Sequence, residues 1–187
     1  DLVFNDMSKM DDYLNVIAES RVPMFHAMGN HDYDQTTFLD SSLGRIHFEE
    51  YLTPSYYSFN VGKVHYVIVN DISFARKEVK QKYRLGLEYW HYKWLERDLK
   101  FVPKDHTIII CGHAQLFRNF KKSDPDSKKN LSYARYSKLL SQYDRVYSWS
   151  GHYHYNFGYD YANSNMQNLK NITSVCVARA CGGLHCN

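Results

Sequence analysis

Three short runs in this sequence place metal-ligating side chains directly after a glycine: Met28-Gly29-Asn30-His31-Asp32, Cys111-Gly112-His113, and Ser150-Gly151-His152-Tyr153-His154. Each follows an extended apolar stretch. A glycine at a strand end lets the backbone turn sharply and approach an ion closely, and the next side chain is delivered on a rigid support. Imidazole nitrogens with carboxylate or amide oxygens are donors that divalent metal sites use. In His152-Tyr153-His154 the two imidazoles lie two residues apart, so an extended segment points both to one side, where each could reach one ion of a pair. A carboxylate could bridge those ions.

Such residues need elements to position them, and the hydrophobic pattern supplies candidates. Residues 11–20 read as a helix with Leu14, Ile17 and Ala18 on one face, and residues 22–28 as an extended apolar run ending at Gly29. Residues 56–60 and 64–70 read as adjacent antiparallel strands joined by Val61-Gly62-Lys63. From residue 87 to 99 the apolar side chains Leu87, Trp90, Trp94, Leu95 and Leu99 recur at helical spacing, which assigns the tryptophans to the core. Residues 106–111, 145–149 and 172–178 read as further strands, 121–130 as a solvated loop, and 131–143 as a helix. Strands mixed with helices in this order predict an α/β protein with a mixed sheet, whose ligands sit in loops past the carboxyl ends of strands.

Composition bounds the function. The 187 residues suit one domain, and 23 basic against 20 acidic side chains leave a formal charge of +3, no nucleic-acid footprint. No apolar run approaches the roughly 20 residues of a membrane span. The opening Asp1-Leu2-Val3-Phe4-Asn5-Asp6 has no initiator methionine and no signal-peptide pattern, so the expectation is an excerpt of a longer protein. The 17 tyrosines are assigned to packing.

Taken together, Gly29-Asn30-His31-Asp32, the lone His113, and Gly151-His152-Tyr153-His154 resemble, in order, the motifs of the calcineurin-like metallophosphoesterases. The opening segment looks like that family's Gly-Asp block without its glycine, and the resemblance then makes Asp1 the carboxylate that bridges both metals. It implies a four-layer α/β/β/α sandwich with mixed sheets over residues 1–187, incomplete at the N-terminus. The family's first motif, Asp-x-His, has no counterpart here, and a further C-terminal segment is expected to be absent too. Asp1, Asn30, His113 and His152 are then available to one ion, but only Asp1 and His154 to the other.

The mechanism that the resemblance implies uses two divalent ions, manganese, iron or zinc, to bind phosphoryl oxygens and turn a bridging water into a hydroxide. Asn30 is a neutral oxygen ligand, His31 the general acid that protonates the leaving alkoxide, and Asp32 the group that orients His31 and raises its pKa. The substrate is a phosphoester, chosen by the loops at 33–50 and 74–86; the second carries Arg76, Lys77, Lys80, Lys82 and Arg84, read as solvated surface in preference to an anion clamp. Phe4 stands where purple acid phosphatases carry an iron-binding tyrosine, so two divalent ions are expected and no charge-transfer colour. Asp32, in place of glutamate, argues against the protein serine/threonine phosphatases, and the run of motifs looks most like bacterial phosphoesterases of exported type.

Two rivals remain. A degenerate domain could act as a metal-binding or protein-interaction module without catalysis. A mononuclear zinc site on Asp1, Asn30, His113 and His152 would need no further ligands. The other histidines, His26, His47, His65, His91 and His106, read as surface or satisfied core groups. Cys176, Cys181, His185 and Cys186 fit a disulfide or free thiols better than zinc. Asn130-Leu131-Ser132 and Asn171-Ile172-Thr173 match the glycosylation triplet, a pattern that arises by chance.

Overall fold

Strands β1 (Tyr57–Val61) and β2 (Val64–Ile68) form the expected hairpin, in register from Tyr57 opposite Ile68 to Val61 opposite Val64. Gly62 turns it with φ 56°, a left-handed conformation that glycine adopts without a Cβ penalty. The computed structural model describes residues 1–37, 41–74, 83–115, 133–160 and 170–178. Its main sheet adds β5 (Thr107–Cys111), β6 (Val146–Ser150), β7 (Phe157–Asp160) and β8 (Ile172–Cys176), in the order β1-β2-β5-β6-β8-β7. The four central strands β2, β5, β6 and β8 run parallel and the two edges antiparallel, so the sheet is mixed as expected. A separate two-stranded sheet pairs β3 (Ile72–Phe74) with β4 (Tyr83–Leu85).

Period-two alternation splits the main sheet into unlike faces. Val67, Ile108, Ile110 and Val146 point to one side and bury themselves against α4 (Tyr89–Asp98) and α5 (Tyr133–Leu140), where Leu95, Leu99, Tyr136 and Leu140 complete a core. The apolar stripe expected over residues 87–99 therefore faces the sheet, with one correction: Trp94 is partly buried, but Trp90 is 41% exposed and lies under the Arg45 guanidinium. Tyr66, Ile68, Cys111 and Trp149 point to the other side and, with Phe25 and Phe59, line an open apolar groove.

Residues 22–28 depart from expectation. They are extended but join no strand ladder among the described residues; Phe25 instead stacks on Phe59 at 4.2 Å, and the His26 amide donates to the Tyr57 hydroxyl at 2.9 Å. Side-chain contacts with β1 thus replace backbone pairing. The span expected as a loop at 33–50 holds two short helices, α2 (Ser41–Gly44) and α3 (Ile46–Tyr51), after α1 (Met10–Glu19) and the site loop. Arg76, Lys77, Lys80 and Lys82, the 121–130 loop, and Cys181, His185 and Cys186 lie outside the described residues. Asn171 uses its side-chain amide to donate to the carbonyls of Leu140 and Tyr143, closing the end of α5. Among the described residues no helix is long and apolar enough to cross a membrane.

Candidate metal centre

Three neighbouring parallel strands, β2, β5 and β6, end at one edge of the sheet, and each is followed there by a polar residue: Asp71, His113 and His152. The geometry follows from topology, since parallel neighbours finish side by side. The Gly151 amide donates to the His113 carbonyl at 2.9 Å, which locks the two histidine loops together. The loop at 28–32 and the opening residues close over this edge.

Four of the five expected metal ligands meet there. The Asn30 Oδ1 lies 2.9 Å from His113 Nε2 and 3.1 Å from His152 Nδ1, the two imidazole nitrogens are 3.1 Å apart, and Asp1 Oδ2 is 3.3 Å from His113 Nε2. Donors on adjacent vertices around a small divalent ion stand about 3 Å apart, given metal–ligand distances near 2.1 Å. The donor types, two imidazoles, a carboxylate and an amide oxygen, are ones that divalent ions take. Among the described residues no group of three or more His, Cys, Asp or Glu side chains is arranged to hold a metal ion. His154, the fifth expected ligand, is exposed, and its charge works to lower the pKa of His31 and His152. Both His152 and His154 occupy left-handed backbone, φ 67° and 61°, which a non-glycine residue adopts at a cost of roughly 1 kcal/mol or more.

Burial favours the neutral form of both imidazoles. His113 is pushed down to about 4, chiefly by burial; His152 is also lowered to about 4, by burial and then by the neighbouring His113. Neutral imidazole is the form that binds a metal.

Two fully buried carboxylates hold the ligand loops from behind. Asp32 Oδ1 accepts from the Leu2 and Val3 amides at 2.5 and 3.3 Å, and its Oδ2 accepts from the Gly29 amide at 2.9 Å. Asp71 accepts from the His113 amide at 3.1 Å and the Ala114 amide at 2.8 Å, and burial pushes it up to about 7. A Cβ on Gly29 would collide with Asp1 Oδ1 and come within 2.9 Å of His113 Nδ1, so close approach requires the glycine. Gly112 is equally confined, with Asp71 Oδ2 2.7 Å from such a Cβ.

His31 stands beside this cluster, half-buried. Its pKa is lowered, mostly by burial and then by His113, while the charge of Asp32 works in the opposite direction. The expected partnership with Asp32 takes a different form, because the Asp32 oxygens are occupied by backbone donors and His31 Nδ1 lies 2.9 Å from Asn5 Oδ1. Asp71 and Asn5 were outside the sequence reading. A carboxylate just past an apolar parallel strand was a usable signal for Asp71; nothing local marked Asn5. Of the five histidines assigned to ordinary roles, three have polar partners, His26 with Tyr13, His65 with Asn60 and Asp98, and His47 with Asp34, whereas His91 is buried against aromatic rings.

No family model matches this chain. Among curated proteins it is similar to the human serine/threonine-protein phosphatase CPPED1, 27% identical over 157 residues, covering 80% of this chain and 47% of that protein. The orangutan (Pongo abelii) protein of the same name is 27% identical over 154 residues, with the same shares covered. The chain spans about half the length of these relatives.

Proposed function

We propose that this chain carries the metal centre of a phosphoester hydrolase. The observation that supports it above all is the meeting of Asp1, Asn30, His113 and His152, four donors from distant parts of the chain, at the carboxyl edge of parallel strands with His31 beside them. Asn30, His113, His152 and Asp1 would hold one divalent ion, and Asp1 with His154 would serve a second. When bound, two such ions supply the positive charge that neutralises phosphoryl oxygens and favours attack by water. His31 would give a proton to the leaving oxygen, and Asp32, which accepts from the Leu2 and Gly29 amides, would keep the 28–32 loop and the opening segment in register. The named activity of the relatives agrees with phosphate-ester substrates, even though Asp32 stands where glutamate was expected of that branch. The four-layer sandwich belongs to this reading too, and the open apolar face around Phe59, Tyr66 and Trp149 is where a second layer would sit.

The second reading is a metal-binding or protein-interaction module without catalysis. Hydrolysis of nitrophenyl phosphate mono- and diesters after loading with manganese, iron or zinc separates the two. Metal-dependent turnover that His31→Asn reduces roughly 10²- to 10⁴-fold, with metal content unchanged, supports the hydrolase. Metal bound without turnover supports the module.

A further inference from the structure

His31 is gripped from one side by residues that the motif does not contain. The Phe4 ring stacks on its imidazole with centroids 4.4 Å apart and planes 15° from parallel. The Asn5 amide donates to the His31 carbonyl at 2.7 Å, and Asn5 Oδ1 lies 2.9 Å from His31 Nδ1. Phe4 and Asn5 reach these positions through two successive left-handed conformations, φ 48° and 72°, so the chain bends sharply just where it meets the histidine. Phe4 is 66% exposed, and its ring therefore finds its main cover in His31 rather than in a core.

The chemistry of that contact is directional. An amide oxygen only accepts, so the short approach of Asn5 Oδ1 requires a proton on Nδ1 of His31. In the neutral ring Nε2 is then the unprotonated nitrogen. We propose that Asn5, supported by the Phe4 stack, is the positioning residue that fixes the Nδ1–H tautomer of His31 and so dedicates Nε2 to proton transfer. This rests on His31 being the general acid. In the step itself an attacking water forms the new bond to phosphorus and loses its proton to solvent. The ester P–O bond breaks, and its electron pair stays on the leaving oxygen, which takes the Nε2 proton. His31 is left neutral in the tautomer that Asn5 accepts from, and solvent restores the Nε2 proton.

The role of a neutral amide here differs from that of a carboxylate partner, because Asn5 orients the ring without adding charge beside the metal ligands. Two measurements test it. The first needs no metal or substrate: ¹⁵N shifts of the His31 ring in this chain at neutral pH should show Nδ1 protonated and Nε2 bare, and Asn5→Ala should move them toward a tautomer mixture. Wild-type protein with the proton on Nε2, or an unchanged tautomer in Asn5→Ala, overturns the proposal.

The second uses the metal-loaded protein and leaving groups of different basicity. Asn5→Ala should slow an alkyl phosphate ester roughly ten- to a hundredfold more than a nitrophenyl ester, whose leaving group barely needs a proton, while Asn5→Asp restores the ratio. Equal losses on both esters would mean general disorder of the site and overturn it. If His31→Asn shows no such selectivity, the general-acid reading fails instead, and the tautomer measurement still decides whether Asn5 positions the ring.

Discussion

The loops that carry Asn30 and His113 are anchored from behind, and the loop that carries His152 and His154 is not. Asp32 and Asp71, both fully buried, bind backbone amides of the first two loops, and each loop presses a glycine against an acidic side chain that no larger residue could approach. Residues 151–154 turn through two left-handed histidines and run out to solvent at His154, held at their base by the Gly151 amide on the His113 carbonyl and by the Cys176 thiol on the Gly151 carbonyl at 3.0 Å. The anchored side is prepared before any ligand arrives. The outer side has less to hold it, so an ion there would have to supply more of the order itself.

The largest effect should come from the anchor with most donors. Asp32→Ala leaves the Leu2, Val3 and Gly29 amides without their acceptor and should destabilise the fold by roughly 3–5 kcal/mol in urea unfolding, at about 1–3 kcal/mol per buried donor and partial rescue by water. A loss below about 0.5 kcal/mol would break the comparison.

Acid should act next, through His91, which is fully buried among Tyr56, Trp90 and Trp94. Burial lowers it to about 3 from the ordinary imidazole value of 6.5, so the folded state keeps it neutral while the unfolded chain takes up a proton. Stability from this group is present above pH 6.5 and is lost as the pH falls toward about 3. His91→Phe should flatten the slope of unfolding free energy between those limits, and an unchanged slope would remove His91 as its source.

Asp71→Asn keeps one acceptor oxygen and should cost about 1–2 kcal/mol, with faster hydrogen exchange at the His113 and Ala114 amides. Unaltered exchange there would show that the second anchor does not hold its loop. Smallest of all, His154→Ala should change stability by less than about 0.5 kcal/mol, as an exposed residue does, while lowering metal stoichiometry. A stability loss as large as that of Asp71→Asn would erase the distinction between the two sides.

What the sequence made legible was the part set by local pattern. The helical spacing from Leu87 to Leu99, the hairpin at Gly62, and the three glycine-ligand runs all depend on neighbours in the chain, and their positions agree within a few residues. Contacts that form only when distant segments meet were hidden. Residues 22–28 have the composition of a strand but settle on β1 through Phe25 and His26, a tertiary choice that apolar content does not encode. Trp90 shares the helical period yet faces Arg45 and solvent. Asn30, His113 and His152 could be named from spacing, whereas Asp71 and Asn5 matter for whom they touch. The motif placed Asp32 beside His31 in sequence, but folding turns its oxygens toward backbone amides.

The most direct test of the central claim is metal stoichiometry by elemental mass spectrometry, after loading the protein with manganese, iron or zinc and desalting it, on wild type and on the His113→Ala/His152→Ala double variant. A divalent ion retained by the wild type and lost from a folded double variant is the predicted result. No retained ion, or equal retention by both proteins, would contradict it.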